Sequence, residues 1–116
     1  MQREDWTDLL NAYGRCIRIV RDRTERFGYE AGHDPEPATE TLGKAFQKAR
    51  TQVTPTSDLD RFFTAVYPMI PAISGFFDNV LVMHEDQKLR ENRLGLLQDI
   101  WELSRGIVDV TRLEGF

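Results

Sequence analysis

Apolar residues recur along this chain at three- and four-residue intervals, and no segment alternates apolar with polar residues as a half-buried strand does. That regularity confines the chain to helices packed on helices. The first run, Trp6, Leu9, Leu10, Tyr13, Cys16, Ile17 and Val20, marks one face of a helix over roughly 3–26. Leu42, Ala45, Phe46, Ala49 and Val53 predict a second over about 38–52, with Lys44, Lys48 and Arg50 on its wet side. Ser57 followed by Asp60 resembles a capping box with the shorter acid, opening a third helix that buries Leu59, Phe62, Phe63 and Val66. Pro68 and Pro71 lack the amide hydrogen and clash with the preceding turn, so they end or kink that helix. A fourth helix then covers about 72–82 and buries Ile73, Phe76, Phe77 and Val80. Asp86 can cap a long last helix whose broad apolar face carries Leu89, Leu96, Leu97, Ile100, Trp101, Leu103 and Ile107. The closing DVTRLEGF leaves room for one further turn. The expected fold is all-α, a compact bundle of about five helices. Its expected core holds Trp6, Leu10, Tyr13, Ile17, Phe46, Phe62, Phe63, Phe77, Leu97 and Trp101.

A chain of 116 residues buries about two thirds of its unfolded surface, enough for one core without metal or disulfide staples and too little for a second domain. Residues 1–116 are therefore read as a single domain. Cys16 is the only cysteine, and no basic start leads into an apolar signal stretch, so the cytoplasm is the expected compartment. Even Val66 to Val82 is broken by two prolines, a glycine, an aspartate and an asparagine, which excludes a membrane span. A net charge of −4 argues against nonspecific binding to a long phosphate backbone such as DNA, but leaves room for a local basic patch that reads a short RNA element.

The charge is in fact local. RCIRIVRDRTER, residues 15 to 26, holds Arg15, Arg18, Arg21, Arg23 and Arg26 against Asp22 and Glu25, and the first three step along the side away from the apolar stripe. The following GYEAGHDPEPATE is acidic, rich in Gly and Pro, and reads as a solvated loop. His33 and Asp34 spell an isolated HD pair there, without the ligands a metal site needs. No phosphate-cradling glycine loop is present. Cys16, on the apolar stripe, reads as a buried structural thiol. For the arginines two readings stay open: a solvated face paired with Asp22 and Glu25, or an RNA surface in which guanidinium binds phosphate and stacks on an unpaired base.

FFDNVLVMHEDQKLRENRLGLLQDIW, residues 76 to 101, resembles the C-terminal region of the bacterial glycyl-tRNA synthetase β subunit. That family shows FFD-x-V-x-VM, a short acidic stretch, and R-x-NRL-x-LL opening the last helix. The matching residues are Phe76, Phe77, Asp78, Val80, Val82, Met83, Asp86, Arg90, Asn92, Arg93, Leu94, Leu96 and Leu97. Ala12, Tyr13, Arg15, Ile19 and Arg21 carry a similarity to the weaker first-helix pattern of DALR anticodon-binding domains, also found in arginyl-tRNA synthetase. The chain departs from the pattern at Arg18 and in the long acidic connection. The resemblance implies a DALR-type helical domain, excised from the C-terminus of a longer synthetase, that docks on the anticodon arm of glycine tRNA. It implies no cofactor in this domain and no catalysis by it. ATP and Mg belong to the parent's catalytic region, which lies on an α subunit or a fused chain and is the other partner.

Glycine anticodons contain two cytosines. Each offers an N4 amino donor to an Asp, Glu or carbonyl and offers O2 and N3 to Arg, Lys or Asn, so a reader of cytosine needs mixed charge. The candidate tRNA-binding residues are Arg15, Arg18, Lys44, Lys48, Arg90, Asn92 and Arg93. Lys44 and Lys48 extend the surface of Arg15 and Arg18 if the second helix packs antiparallel to the first, with Arg90 contributing from the last. Arg90 and Arg93 have a structural alternative, tying the last helix to a preceding carboxylate such as Asp78 or Asp86. Asn92 has one as an internal hydrogen-bonder. Phe76, Phe77 and Trp101 read as core rather than as base-stacking surfaces. Two other functions compete with RNA binding: a protein-interaction bundle that holds synthetase parts together through the apolar face of the last helix, and a free hydrolase.

Overall fold

Why the chain folds as it does is visible first in where its helices stop. The computed structural model describes residues 3–21, 23, 25–30, 32, 34–53 and 59–103, with backbone alone at 3–6 and 59–60. The described residues form five α-helices, α1 (Arg3–Val20), α2 (Pro37–Arg50), α3 (Leu59–Val66), α4 (Ile70–Asn79) and α5 (Gln87–Glu102), with a 3₁₀ turn at Tyr67–Met69 between α3 and α4. Among the described residues there is no strand, so the all-α expectation holds. The environment of Trp6, the Ser57–Asp60 capping pair, His33 and DVTRLEGF lie outside what is described.

The first helix ends at Val20, short of the expected 26, because the apolar stripe ends there. Nothing past Val20 in RDRTER can bury a helical face, and Glu25, Arg26 and Phe27 instead hydrogen-bond to Gln98 of α5. α2 opens on Pro37, whose missing amide is one the first turn leaves unbonded in any case. The two prolines expected to interrupt the third helix do so: Pro68 falls in the 3₁₀ turn and Pro71 in the first turn of α4. α4 starts two residues before the expected 72 and ends at Asn79, before the expected 82. Val80 is extended at φ −121°, ψ 129°, which frees the Leu81 carbonyl to accept from Arg93 Nη1 at 2.7 Å. Asp86 caps α5 as expected, its Oδ1 accepting from the amides of Lys88 at 2.9 Å and Leu89 at 3.2 Å.

α1 packs along α5 and against α4, and α4 in turn packs against α2. The buried cluster unites Leu9, Tyr13, Ile17, Phe46, Phe62, Phe76, Leu96, Leu97 and Ile100 among others. Of the expected core residues, Tyr13, Ile17, Phe46, Phe62, Phe63 and Leu97 are buried, and Leu10, Phe77 and Trp101 are only partly so. The Tyr13 hydroxyl donates to the carbonyl of Ile100 at 2.6 Å, pinning α1 to the last turn of α5. No described helix is long and apolar enough to cross a membrane.

Candidate nucleic-acid interface

The basic residues divide into those the fold consumes and those it leaves at the surface. Arg93 is consumed. Its side chain is 3% exposed and that of Asp34 is 0%; Nε donates to Asp34 Oδ2 at 2.7 Å and Nη2 to Oδ1 at 3.0 Å. Burial alone pushes Asp34 upward, but the Arg93 guanidinium and the Glu36 amide outweigh it and hold the carboxyl below its ordinary value. The carboxylate tied to Arg93 is therefore neither Asp78 nor Asp86. It comes from the acidic connection, which is exposed at Gly28, Glu30, Gly32 and Pro35 as its composition indicates but is anchored inward through Asp34.

That connection is zipped to α5 by polar side chains. Asn92 Oδ1 accepts from the Glu30 amide at 2.7 Å, and Gln98 Oε1 accepts from the Phe27 amide at 2.8 Å. Gln98 Nε2 donates to the Glu25 carbonyl at 2.8 Å, while Arg26 pairs with Asp99 and, at 3.0 Å, with Glu102. Gly95 permits the approach: a Cβ there would lie 2.7 Å from the Gly28 carbonyl carbon. Gly32, at φ +85°, supplies the left-handed turn, and its amide donates to Glu40 Oε1 at 2.7 Å. Half-buried Arg90 donates through Nη1 to the His84 carbonyl at 3.2 Å. The R-x-NRL motif thus places Arg90, Asn92 and Arg93 in the joints of the fold, with Asn92 and Arg93 buried.

Lys44 and Lys48 are exposed on α2, and Arg15 and Arg18 on α1. The antiparallel packing that would join these pairs does not occur, because α1 packs chiefly on α5 and α2 chiefly on α4. Lys44 and Lys48 therefore do not extend the α1 surface in the way the sequence led us to expect.

Arg15 and Arg18 instead border an open furrow of about 430 Å³ between α1 and α4, lined by Asp8, Asn11 and Ala12 from the first and Ile73, Ser74 and Phe77 from the second. The Arg15 guanidinium lies over the Phe77 ring, 4.4 Å from its centre. Asp8, Asn11, Arg15 and Arg18 are spaced three, four and three apart, which aligns them on one stripe of α1. Among the described residues, the side chains of Asp8, Asn11 and Arg18 have no hydrogen-bond or ion-pair partner within the chain. Such a furrow combines two cations, one carboxylate acceptor, one amide and an aromatic face. Sequence reasoning found the arginines and missed the rest: the same stripe, followed back from Arg15, reaches Asn11 and Asp8. Phe77 was read as core, but it lies one residue past buried Phe76 and is turned to the flank of α4.

Elsewhere, burial pushes the Cys16 thiol up to about 12, so it is an inert structural thiol. The apolar face of α5 is spent on the domain's own core, Leu94, Leu96, Leu97 and Ile100 being fully buried.

No protein-family model matches the chain. It is 30% identical over 115 residues to the chloroplastic/mitochondrial glycine–tRNA ligase 2 of Arabidopsis thaliana, a match covering 97% of the chain and 11% of that protein. It is 31% identical over 114 residues to the glycine–tRNA ligase β subunit of Thermodesulfovibrio yellowstonii, covering 96% of the chain and 17% of that protein. The glycine–tRNA ligase β subunit of Persephonella marina is 34% identical over 116 residues, covering 94% of the chain and 16% of that protein. The chain thus spans less than a fifth of the length of these curated relatives. Across nearly all of its own length it corresponds to one region of glycine–tRNA ligases, the β subunit among them.

Proposed function

We propose that this chain is a DALR-type anticodon-binding domain of a glycine–tRNA ligase β subunit, holding the anticodon arm of glycine tRNA while ATP-dependent glycylation proceeds in another region of the enzyme. The observation that carries the reading is the α1–α4 furrow. In a chain of net charge −4, it leaves Arg15 and Arg18 at the surface beside polar groups with no work inside the fold. Arg15 and Arg18 place phosphates by charge, and neighbouring acceptor and amide groups are free to meet base edges. Arg90, Asn92 and Arg93 support the surface indirectly by fixing α5 and the connection beside it. Lys44 and Lys48, exposed on α2, meet a separate part of the tRNA.

The same reading makes the chain non-catalytic by itself, with ATP and Mg held by the parent's catalytic region. The competing role, a bundle that joins synthetase parts through the apolar face of α5, loses that face to the core. Among the described residues, the large apolar side chains left exposed are Tyr67 and, in the turn before α5, Leu81 and Met83 at 65% and 50%, and these remain in its favour.

A binding titration of the chain against glycine tRNA and a noncognate tRNA, at several salt concentrations, tests the proposal. Binding is expected to favour glycine tRNA and weaken with salt, and Arg18→Ala is expected to reduce the salt slope by about one. Equal affinity for both tRNAs, or binding only to another synthetase fragment, would overturn it.

A further inference from the structure

The furrow contains more than its cations require. Phosphate placement needs Arg15 and Arg18 alone, yet an aspartate, an asparagine and a partly buried phenylalanine share the same walls. An aspartate is a poor neighbour for phosphate and a good one for a base that carries an amino group. The Phe77 ring already seats a flat, electron-poor group, since the Arg15 guanidinium rests on it rather than in an ion pair. A nucleobase is a larger flat group, uncharged, that the same ring face can hold by stacking. Entering between ring and guanidinium, it makes a three-layer stack, for which Arg15 must rise from 4.4 Å to about 7 Å above the ring. Arg15 is exposed, so that displacement is a change of rotamer.

We infer that Asp8, Asn11 and Phe77 form a slot for one unpaired cytosine. Phe77 and Arg15 sandwich its ring, the Asp8 carboxylate accepts from the N4 amino group, the Asn11 amide donates to N3 or O2, and Arg18 holds the adjoining phosphate. The inference rests on the anticodon-arm reading and adds to it the side chains that choose the base. Order along the stripe narrows the base to one with an amino donor beside a ring-nitrogen acceptor, cytosine or adenine, and of these the glycine anticodon supplies cytosine. From Asp8 to Asn11 it presents an acceptor and then a donor, which matches the donor and acceptors along the pairing edge of cytosine. Uracil turns its O4 acceptor toward the carboxylate, two electron-rich oxygens face each other, and the fit is lost.

The test is a fluorescence-anisotropy titration of the 116-residue chain with a hairpin of the glycine tRNA anticodon arm, the same hairpin with each loop cytosine changed singly to uracil, and an unrelated anticodon hairpin. The wild-type chain is expected to prefer the parent hairpin to one of the uracil hairpins by about 5- to 150-fold. Asp8→Asn, at an exposed position, brings that ratio close to one, because an amide can donate to O4. Phe77→Leu, which keeps an apolar group in the wall, lowers affinity for the parent hairpin by roughly 5- to 150-fold, and Arg18→Ala weakens parent and uracil hairpins alike. If the wild-type chain binds the glycine hairpin yet is indifferent to every cytosine, or if Asp8→Asn keeps the wild-type ratio, the slot is refuted and the anticodon-arm reading stands. Inability of the wild-type chain to tell the glycine hairpin from the unrelated one refutes that reading, and the slot with it.

Discussion

Replacing Asp34 by alanine should unfold this domain more readily than any other single change of a polar residue described here. The substitution leaves the Arg93 guanidinium, 3% exposed, with the Leu81 carbonyl as its one remaining protein acceptor. It also removes the Oδ1 that accepts from the Glu36 amide at 2.9 Å, one residue before α2 begins. An uncompensated buried charge costs about 3–5 kcal/mol, a large part of the roughly 5–15 kcal/mol that keeps a domain folded. Asp34→Asn retains an acceptor and should cost less. Changing Asp34 and Arg93 together to apolar residues of similar size should recover most of the loss, because it is the orphaned charge and not the missing pair that is expensive. The assay is urea unfolding followed by far-UV circular dichroism. The acid side gives an independent check. Asp34 lies below its ordinary value when folded, so the native state holds the proton less tightly than the unfolded chain does. Its contribution is therefore complete above about pH 4 and is lost as pH falls toward the folded value. A loss under about 1 kcal/mol for Asp34→Ala, in the range of an exposed ion pair, would refute the claim that this pair is sealed inside.

Three further outcomes are expected. Gly95→Ala puts a Cβ 2.7 Å from backbone of Gly28, which cannot swing away as a side chain could, so it should lower stability by about 1–3 kcal/mol and increase protease cutting in the 25–34 connection. Unchanged cutting would argue against the close approach. Asp86→Ala removes the acceptor of two first-turn amides of α5 and should cost about 0.5–2 kcal/mol in a thermal melt, with Asp86→Ser recovering most of it. Cys16, buried with its thiol pushed up to about 12, should resist alkylation at neutral pH until denaturant is added; prompt labelling of the native chain would contradict its place in the core.

The helices were legible because each writes its apolar period in a local window, and the caps and prolines at Asp86, Pro68 and Pro71 announce their own positions. What remained hidden depends on distant residues. Nothing near Arg93 in sequence names Asp34 as its partner, since the two are 59 positions apart. The acidic connection looks solvated by composition because its anchors, Asn92, Arg93 and Gln98, belong to another helix. The furrow was half legible for the same reason. The stripe of Asp8, Asn11, Arg15 and Arg18 is local to α1, whereas its aromatic wall arrives from α4, and only packing decides that Phe77 faces the furrow while Phe76 fills the core.

An acidic chain can present a basic furrow because its arginines are sorted by what faces them rather than by kind. On the α5 side, Arg26 and Arg93 meet carboxylates, and the carboxylates meet them in turn: Asp34 inside, Asp99 and Glu102 nearer the surface. Burial raises Asp99 despite Arg26 beside it, so even this outer pair works against desolvation. Such pairs add little net stability compared with apolar packing. Their effect here is positional: among its described residues the connection from Glu25 to Glu36 has no helix or strand of its own, and three polar side chains of α5 set its register by hydrogen bonds to its backbone and to Asp34. On the α1 side the wall opposite Arg15 and Arg18 is made of Ile73, Ser74 and Phe77, none of which carries a charge to neutralise them. Two arginines beside an uncharged wall retain their field for an anion from outside, and the single acid among them, Asp8, is placed where it can select a base without cancelling the attraction of the furrow for phosphate.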